Sequence, residues 1–335
     1  ELDISSNSDC LTILKLYQKF DKLNDISSFL NLFSNEIKGE FAFVLYEFDN
    51  LKNLRKLFIG RDQIGIRPLY CNNLTNNVNE IYLSSEIKGM SNYEDKVYEF
   101  TPGKILYYSF DELGNTNLVK KSFDWVYSVK PENLKILDYK EELENKLLLN
   151  LRNAVINSVR RRLNADRPLA FLLSGGVDSS LVCAIASRIL KKPINTFCCG
   201  MNEGTDIKYA RLVSDHIKSN HTEVFFSEDE GFESIPDVIR TVETWDTTTV
   251  RASVGQYIVS KYIGTKTDYK VVLVGEGPDE VCSSYMFNWN APNGKELHDA
   301  AVKYVRNIHY YDCKRGDRCI SNFGLEGRVP LLDPE

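Results

Sequence analysis

The spacing of apolar positions changes along the chain. From residue 9 to about residue 33 apolar side chains recur at helical spacing, which predicts a helix. Short aromatic and apolar runs follow at 40–49, 56–61, 81–84 and 104–109, and Asn, Asp, Gly and Pro residues separate them. Because successive short strands without intervening helices form antiparallel sheets, roughly the first 110 residues are predicted to be an antiparallel β region with some helix.

The later part of the chain alternates between strand-like and helix-like runs. A long amphipathic stretch from about 139 to 163 predicts a helix, and the arginines at 160–162 suit its C-terminal end. The runs after it are strand 169–173, helix 179–190, strand 194–199, helix 206–219, strand 223–226 and strand 269–274. This alternation is typical of a doubly wound, mostly parallel sheet with helices on both faces.

These patterns predict an α/β protein with two domains. An antiparallel, β-sandwich-like α+β domain is expected over residues 1–125, and a doubly wound parallel-sheet domain over residues 139–335. Residues 111–138 show no clear period and are predicted to connect the two. In a doubly wound sheet the ligand site lies where strands end and loops begin, so functional residues are expected there.

Composition narrows the classes of function. The 335 residues carry a formal net charge of −6, which favours neither nucleic acid nor an anionic membrane surface as a partner. The eight cysteines form no CxxC pair and the four histidines show no ligand spacing, which predicts reduced thiols and no structural metal site. The chain opens without a signal-like stretch and no apolar run approaches ~20 residues, so a cytoplasmic protein is expected.

A glycine-rich turn, SGGVDSS at residues 174–180, lies between a predicted strand and a predicted helix. Its glycines let the backbone approach a ligand, and the helix N-terminus presents free N–H groups to an anion. The lysine of a Walker loop is missing, and Asp178 would repel phosphate unless a cation such as Mg²⁺ lies between them. The alternative is a plain strand-to-helix turn in which Asp178 caps the helix.

A second glycine-rich turn, GEGPDE at residues 275–280, follows the apolar run at 271–274. Its three carboxylates repel one another, and a bound metal would relieve that repulsion. We therefore predict that Asp279 shares Mg²⁺ with Asp178 while Glu276 faces the substrate; a solvated acidic turn is the alternative. Both glycine-rich turns end strands of the same predicted sheet, so they can face one crevice.

Both turns resemble elements of known enzyme families. SGGVDSS resembles the loop of ATP pyrophosphatases, which cleave ATP to AMP and pyrophosphate, and GEGPDE resembles the GEG[SA]DE element of asparagine synthetases. Three more segments resemble that second family in its order: the TTVRAS loop at 248–253, YDCKR at 311–315 and GLEGRVP at 324–330. The resemblance implies that ATP with Mg²⁺ activates the side-chain carboxylate of aspartate as an adenylate, which ammonia then attacks.

The resemblance also implies roles for individual residues. The nucleotide pocket would consist of Leu173, Ser174, Gly175, Gly176, Asp178, Ser179, Ser180, Cys199, Val274 and Gly275. Asp178 and Asp279 would bind Mg²⁺, and Glu276 would assist the attack of ammonia. The residues around the reaction intermediate would be Thr248, Arg251, Asp312 and Arg315. The two arginines suit a carboxylate or phosphate group.

Three segments in the N-terminal part resemble N-terminal-nucleophile glutaminase domains. They are SDC at 8–10, RDQIGIRPLY at 61–70 and SSEIKG at 84–89. The resemblance implies that Asp9 holds the α-amino group of glutamine. That glutaminase uses a first-residue cysteine whose own amine activates the thiol; Glu1 stands first here, so the natural chain is expected to start earlier.

The leading hypothesis is an enzyme of the glutamine-dependent asparagine synthetase family that uses aspartate, ATP and glutamine or ammonia and assembles as a homodimer. The alternatives are a β-lactam-synthetase-like ligase, in which an internal amine attacks, and a non-catalytic nucleotide-binding paralogue. Two departures from the family pattern favour the paralogue: Pro278 replaces a small residue, and Ser283-Ser284 replaces a Gly-Gly pair. The family's C-terminal helices, with a lysine that contacts the reacting phosphate, are expected beyond Glu335.

Overall fold

The computed structural model describes residues 9–22, 25–35, 37, 39–72, 81–90, 97–111, 116–122, 141–201 and 204–334. The chain divides into two compact units, which we call unit 1 (Glu1–Ser128) and unit 2 (Val129–Glu335). None of the helices within the described ranges is both long and apolar enough to cross a membrane.

Unit 1 combines helices with antiparallel sheets. Its elements are α1 (Asp9–Lys22), α2 (Ile26–Asn35), β1 (Ala42–Phe48), β2 (Leu54–Arg61), β3 (Tyr70–Cys71), β4 (Leu83–Ser84), β5 (Tyr98–Glu99), β6 (Lys104–Phe110) and β7 (Thr116–Ser122). One sheet has the order β1-β2-β6-β7 and the other the order β4-β3-β5, and the strand pairs are antiparallel. The predicted antiparallel α+β class is confirmed for this region.

The single helix predicted from residue 9 to about 33 is two helices, α1 and α2. The break lies near Asp25, whose carboxylate accepts a hydrogen bond from the backbone N–H of Ser28 at 3.0 Å and so caps α2. The apolar period continues across the break because both helices contribute to one aromatic cluster with β2, in which Tyr17 and Phe29 pack on Phe58.

The segment predicted to connect the domains contains a strand. β7 pairs with β6 along the edge of the four-stranded sheet. Its sequence, TNLVKKS, shows no clear apolar alternation, and polar or lysine-containing edge strands are common because they discourage pairing with other chains. Within the predicted connection, 111–138, residues 116–122 form this strand, and residues 112–115 and 123–138 lie outside the described residues.

The RDQIGIRPLY segment forms a tightly bonded turn after β2. The buried carboxylate of Asp62 accepts hydrogen bonds of 2.7–3.1 Å from the backbone N–H groups of residues 64–67. The side chain of Arg61, also buried, pairs with Glu99 at 2.8 Å and donates to three backbone carbonyl groups. These charges therefore hold the turn, since a buried charge without such partners would be costly.

Unit 2 alternates helices and strands. Its elements are α3 (Glu141–Arg162), β8 (Leu169–Leu172), α4 (Val177–Leu190), β9 (Asn195–Gly200), α5 (Thr205–Ile217), β10 (Asn220–Phe225), α6 (Glu228–Val242), α7 (Thr247–Lys266), β11 (Val271–Leu273), α8 (Pro278–Val281), α9 (Gly294–Asn307), α10 (Asp312–Ser321) and β12 (Glu326–Arg328). The TTVRAS segment, compared above with a loop, is helical and lies in the first turns of α7. Asp246 caps that helix by accepting from the backbone N–H of Thr249 at 2.8 Å, so a helix begins where a loop was expected.

The strands of unit 2 form one parallel sheet in the order β10-β9-β8-β11-β12. This confirms the predicted doubly wound class. Successive strands from β8 run outward to β10, and the chain then returns to place β11 on the other side of β8. The strand order therefore reverses between β8 and β11, and ligands of such sheets bind at that switch point. Residues of both strands, such as Phe171 and Leu273, are fully buried in the core of the unit.

Candidate active site

A cavity of about 420 Å³ opens at the switch point in unit 2. The turns after β8 and β11, the end of β9 and the helices α7 and α10 contribute to its wall. The predicted site residues on its lining are Leu173, Ser174, Gly176, Asp178, Ser179, Cys199, Val274, Gly275, Glu276, Asp279, Asp312 and Arg315. The two glycine-rich turns thus face one space, with candidate metal ligands and a candidate base beside each other.

The turn after β8 is arranged around two serine hydroxyl groups. The backbone N–H of Ser174 donates to Oγ of Ser179 at 3.1 Å, and the two hydroxyl oxygens lie 2.9 Å apart. Gly176, rather than Asp178, is the N-cap residue of α4, and no side chain caps it. The alternative in which Asp178 caps the helix is therefore wrong. The first N–H groups of α4 are left for an anion at the positive end of the helix.

Two glycines allow the turns to pack closely. Gly175 has a φ of +85°, and a Cβ atom there would lie 2.5 Å from backbone atoms of Tyr209 and Ala210 on α5. A Cβ atom on Gly275 would lie 2.8 Å from the backbone nitrogen of Ser179. Real Cβ atoms do not approach backbone this closely, so both positions require glycine. The close approach at Gly275 brings the turn after β11 against the start of α4.

Asp178 and Asp279 lie close enough to repel each other. Burial and the negative charge of Asp279 raise the pKa of Asp178. The hydroxyl of Ser284 donates a hydrogen bond to Asp279. Among the described residues no cluster of three or more His, Cys, Asp or Glu side chains could hold a metal ion. Two facing carboxylates fit Mg²⁺, because this ion is usually bound by one or two carboxylates together with substrate phosphates and water.

Glu276 lies beside Asp312 and Arg315 in the cavity wall. Nη2 of Arg315 is 2.6 Å from Oδ1 of Asp312 and 3.7 Å from Oε1 of Glu276. Burial raises the pKa of Glu276, against the opposing effect of the Arg315 charge. A carboxylate whose pKa is raised is a stronger base at neutral pH than an exposed one, which suits proton transfer in the cavity.

Cys199 forms part of the wall between β9 and α7. Its thiol donates to the backbone carbonyl of Gly255 at 3.0 Å, and burial raises its pKa to about 12. Gly255 permits this contact, since a Cβ atom there would be 3.2 Å from the sulfur. The thiol is therefore protonated at neutral pH and acts as an apolar, unreactive part of the pocket.

Five predicted residues do not line the cavity. Gly175 packs towards α5, as described above. Ser180 lies on another face of α4, where its hydroxyl is buried without a partner among the described residues. Thr248 and Arg251 are exposed on the first turns of α7. Asp9 is the first residue of α1 in unit 1, and its side chain lies outside the described part of the structure.

Reasoning from the sequence missed Gln256, which lines the cavity from α7. It lies four residues after Ala252 of the TTVRAS segment, which also lines the cavity, and residues with that spacing share one face of a helix. Helical spacing would therefore have identified it if the TTVRAS segment had been interpreted as a helix. Tyr285, which donates to Glu280, was missed as well, because neither the glycine-rich motif nor a period marks it.

The departures from the family pattern have different structural consequences. Pro278 is the first residue of α8, where proline is favoured because its missing N–H would have no helical partner. Ser283 has a φ of 55°, a left-handed value that favours glycine, so the serine is mildly strained there. Neither departure removes a residue from the cavity wall.

Two family profiles match the chain. The profile described as Asparagine synthase matches residues 150–295, and the profile described as Glutamine amidotransferase domain matches residues 1–92. The first match contains both glycine-rich turns and α7. The second contains the tightly bonded turn after β2.

Curated relatives resemble the chain over nearly its whole length. Asparagine synthetase [glutamine-hydrolyzing] of Gallus gallus is 37% identical over 315 residues, which are 89% of this chain and 54% of the relative. A probable asparagine synthetase of Acanthamoeba polyphaga mimivirus is 36% identical, covering 99% of this chain and 60% of the relative. Asparagine synthetase B of Escherichia coli K12 is 34% identical, covering 98% and 56%. The chain spans 54–60% of the length of these relatives. It belongs to the family of glutamine-hydrolysing asparagine synthetases.

Proposed function

We propose that this protein makes asparagine from aspartate, ATP and glutamine or ammonia, releasing AMP and pyrophosphate. The observation that carries the proposal is the meeting of the two glycine-rich turns at the β8–β11 switch point, where Asp178, Asp279, Glu276 and Arg315 line one cavity. The family membership supports the same reaction. Activity in the cytoplasm and assembly as a homodimer remain predictions from the sequence.

The first step joins aspartate to AMP. A side-chain carboxylate oxygen of aspartate attacks the α-phosphorus of ATP, and the bond from that phosphorus to the bridging oxygen breaks, which releases pyrophosphate. Ser174, Ser179 and the uncapped N-terminus of α4 would bind the departing phosphates, because hydroxyl and free N–H groups donate to phosphate oxygens. Asp178 and Asp279 would hold Mg²⁺, which when bound neutralises the charge of the phosphates.

The second step transfers nitrogen. Ammonia attacks the acyl carbon of the aspartyl-adenylate, the bond to the AMP oxygen breaks, and one proton leaves the nitrogen. Glu276 is the group proposed to accept that proton, because it is the partly buried carboxylate beside Arg315. Arg315, held by Asp312 at 2.6 Å, is proposed to bind a carboxylate or phosphate of the intermediate.

Glutamine hydrolysis is proposed for unit 1. The family profile over residues 1–92 and the three glutaminase-like segments support it, and Asp9 remains the candidate for binding the α-amino group of glutamine. The tight turn around Asp62 would support that site structurally rather than take part in the reaction.

The test uses the intact gene product with Mg²⁺. Exchange of labelled pyrophosphate into ATP is measured with and without aspartate, and asparagine is measured with ammonia and with glutamine. Exchange that requires aspartate, together with asparagine from both nitrogen donors, is expected. Exchange with another carboxylate but no release of asparagine would favour the ligase with an internal amine, and no exchange with any carboxylate would favour the non-catalytic paralogue.

Replacing Glu276 should separate the two steps. Glu276→Gln is expected to leave aspartate-dependent pyrophosphate exchange within about threefold of wild type, while asparagine formation from ammonia falls by about 10²–10⁴-fold. The reason is that the amide keeps the shape of the side chain but cannot accept the proton. Both rates are measured on the same preparation.

Glu233→Gln, at an exposed position on α6, is the control and should change neither rate. Equal loss of exchange and of asparagine formation in Glu276→Gln would contradict the assignment of Glu276 to the second step.

A further inference from the structure

The amide of Gln256 on α7 contacts the same carboxylate oxygen of the candidate base that Arg315 approaches. Its Nε2 donates a hydrogen bond to Oε1 of Glu276 at 3.0 Å. Arg315 approaches the same oxygen from α10, at 3.7 Å. Both contacts fall on Oε1, and neither engages Oε2. An amide and a guanidinium from two helices thus restrain one oxygen of the carboxylate.

The other end of this amide is buried without a partner. Oε1 of Gln256 has no hydrogen-bond partner among the described residues and is shielded from solvent. The orientation of the amide follows from its neighbour, because an ionised carboxylate can only accept and must face the nitrogen. Buried acceptors without a partner are rare because they cost free energy, and an apolar side chain at this position would avoid the cost. Gln256 thus donates a hydrogen bond to Glu276 while its own side-chain oxygen has no partner among the described residues.

Building on the proposed function, we infer that Gln256 is a positioning residue for the nitrogen-transfer step. Its hydrogen bond fixes the rotation of the Glu276 carboxylate, so that one oxygen is restrained and the other is directed to the proton of the attacking nitrogen. The hydrogen bond of Gln256 is to Glu276, which is assigned to the second step, so we expect the adenylation step to be independent of it.

Gly316, which lies beside Gln256 and Glu276, offers a position for a control variant. Gly316 on α10 faces both side chains, and a Cβ atom there would lie 3.8 Å from Nε2 of Gln256 and 4.0 Å from Oε1 of Glu276. These are ordinary van der Waals distances. Gly316→Ala therefore adds a methyl group beside the pair without removing the hydrogen bond.

The experiment compares wild type, Gln256→Met and Gly316→Ala in the intact protein. Methionine has nearly the same length as glutamine but neither donates to Glu276 nor leaves an unpaired oxygen. For Gln256→Met we expect kcat for asparagine formation from ammonia to fall at least about tenfold. Aspartate-dependent pyrophosphate exchange should stay within about twofold of wild type, and the unfolding midpoint within about 3 °C. Gly316→Ala should leave kcat within about twofold.

The pH profile gives a second readout. The charged groups facing Glu276 are Arg315 and Asp312, both on α10. The hydrogen bond from the Gln256 amide favours the ionised form of the Glu276 carboxylate, so loss of this hydrogen bond raises the pKa of Glu276. The acid limb of the ammonia-dependent rate should therefore move to higher pH in Gln256→Met. A purely structural role would not move that limb.

Three results would overturn the inference. They are an unchanged kcat with ammonia in Gln256→Met, a parallel loss of exchange and stability in that variant, and an equal loss in Gly316→Ala. Failure of the proposed function itself would be distinguishable from these results, because the wild-type protein would then show no aspartate-dependent exchange of pyrophosphate into ATP.

Discussion

Asp178→Ala is expected to lower aspartate-dependent exchange of pyrophosphate into ATP by at least about 10³-fold. Asp178 and Asp279 are the two carboxylates proposed to hold Mg²⁺ at the switch point, so loss of Asp178 would leave one of the two proposed ligands. Charge neutralisation by such an ion contributes several kcal/mol to the transition state, and ~4 kcal/mol corresponds to about 10³ in rate.

The same variant should fold as well as wild type. In the absence of nucleotide, Asp279 and burial disfavour the ionised form of Asp178, so removing this carboxyl group relieves repulsion. We expect the unfolding midpoint to stay equal or rise slightly. Asp166→Ala, at an exposed position in the turn before β8, is the matched control and should keep full exchange. Exchange at the wild-type rate in Asp178→Ala would contradict the metal assignment.

Gly175→Ala is expected to reduce the free energy of unfolding of unit 2 by about 3 kcal/mol or more. The left-handed φ of +85° costs an alanine about 1–2 kcal/mol, and displacement of the α5 backbone adds a further cost of about 1–3 kcal/mol. Urea unfolding followed by circular dichroism measures the change. Pyrophosphate exchange should be lost with it, because the turn that is proposed to bind phosphate cannot keep its shape.

The adjacent glycine provides the control. Gly176 has a φ of −68°, and a Cβ atom there would meet only Oγ of Ser174, at 3.4 Å. Gly176→Ala should therefore change the free energy of unfolding by less than about 1 kcal/mol. If the two alanine variants were equally stable, the close packing of Gly175 against α5 would be refuted as the reason for the glycine.

The glycine-rich motifs could be predicted because all the features that define them lie close together in the sequence. The turn at 174–180 requires a strand before it, a helix after it and glycine at Gly175, and these features lie within one short stretch of sequence. The alternation of apolar runs likewise predicted the parallel sheet of unit 2. The break between α1 and α2 was missed because the apolar period continues through it. The strand β7 was missed because its sequence, TNLVKKS, shows no apolar alternation.

Residue types did not reveal which side chains share a wall. Ser180 belongs to the same motif as Ser179, yet the helix turns its side chain away from the cavity. Arg251 and Arg315 carry the same charge, but Arg251 is exposed while Arg315 lies in the cavity wall. Such differences follow from helix phase, which depends on packing against the rest of the unit.

By itself the sequence determined the fold class, the two glycine-rich turns and the family, because each can be identified from residue types and their spacing within short stretches of the chain. Only the tertiary structure decided that β11 lies beside β8, which brings residues 174–180 and 275–280 to one cavity although about a hundred residues separate them. It also decided that Gln256 bonds Glu276. Strand order and helix phase are set by burial of non-local apolar faces, which no single segment encodes.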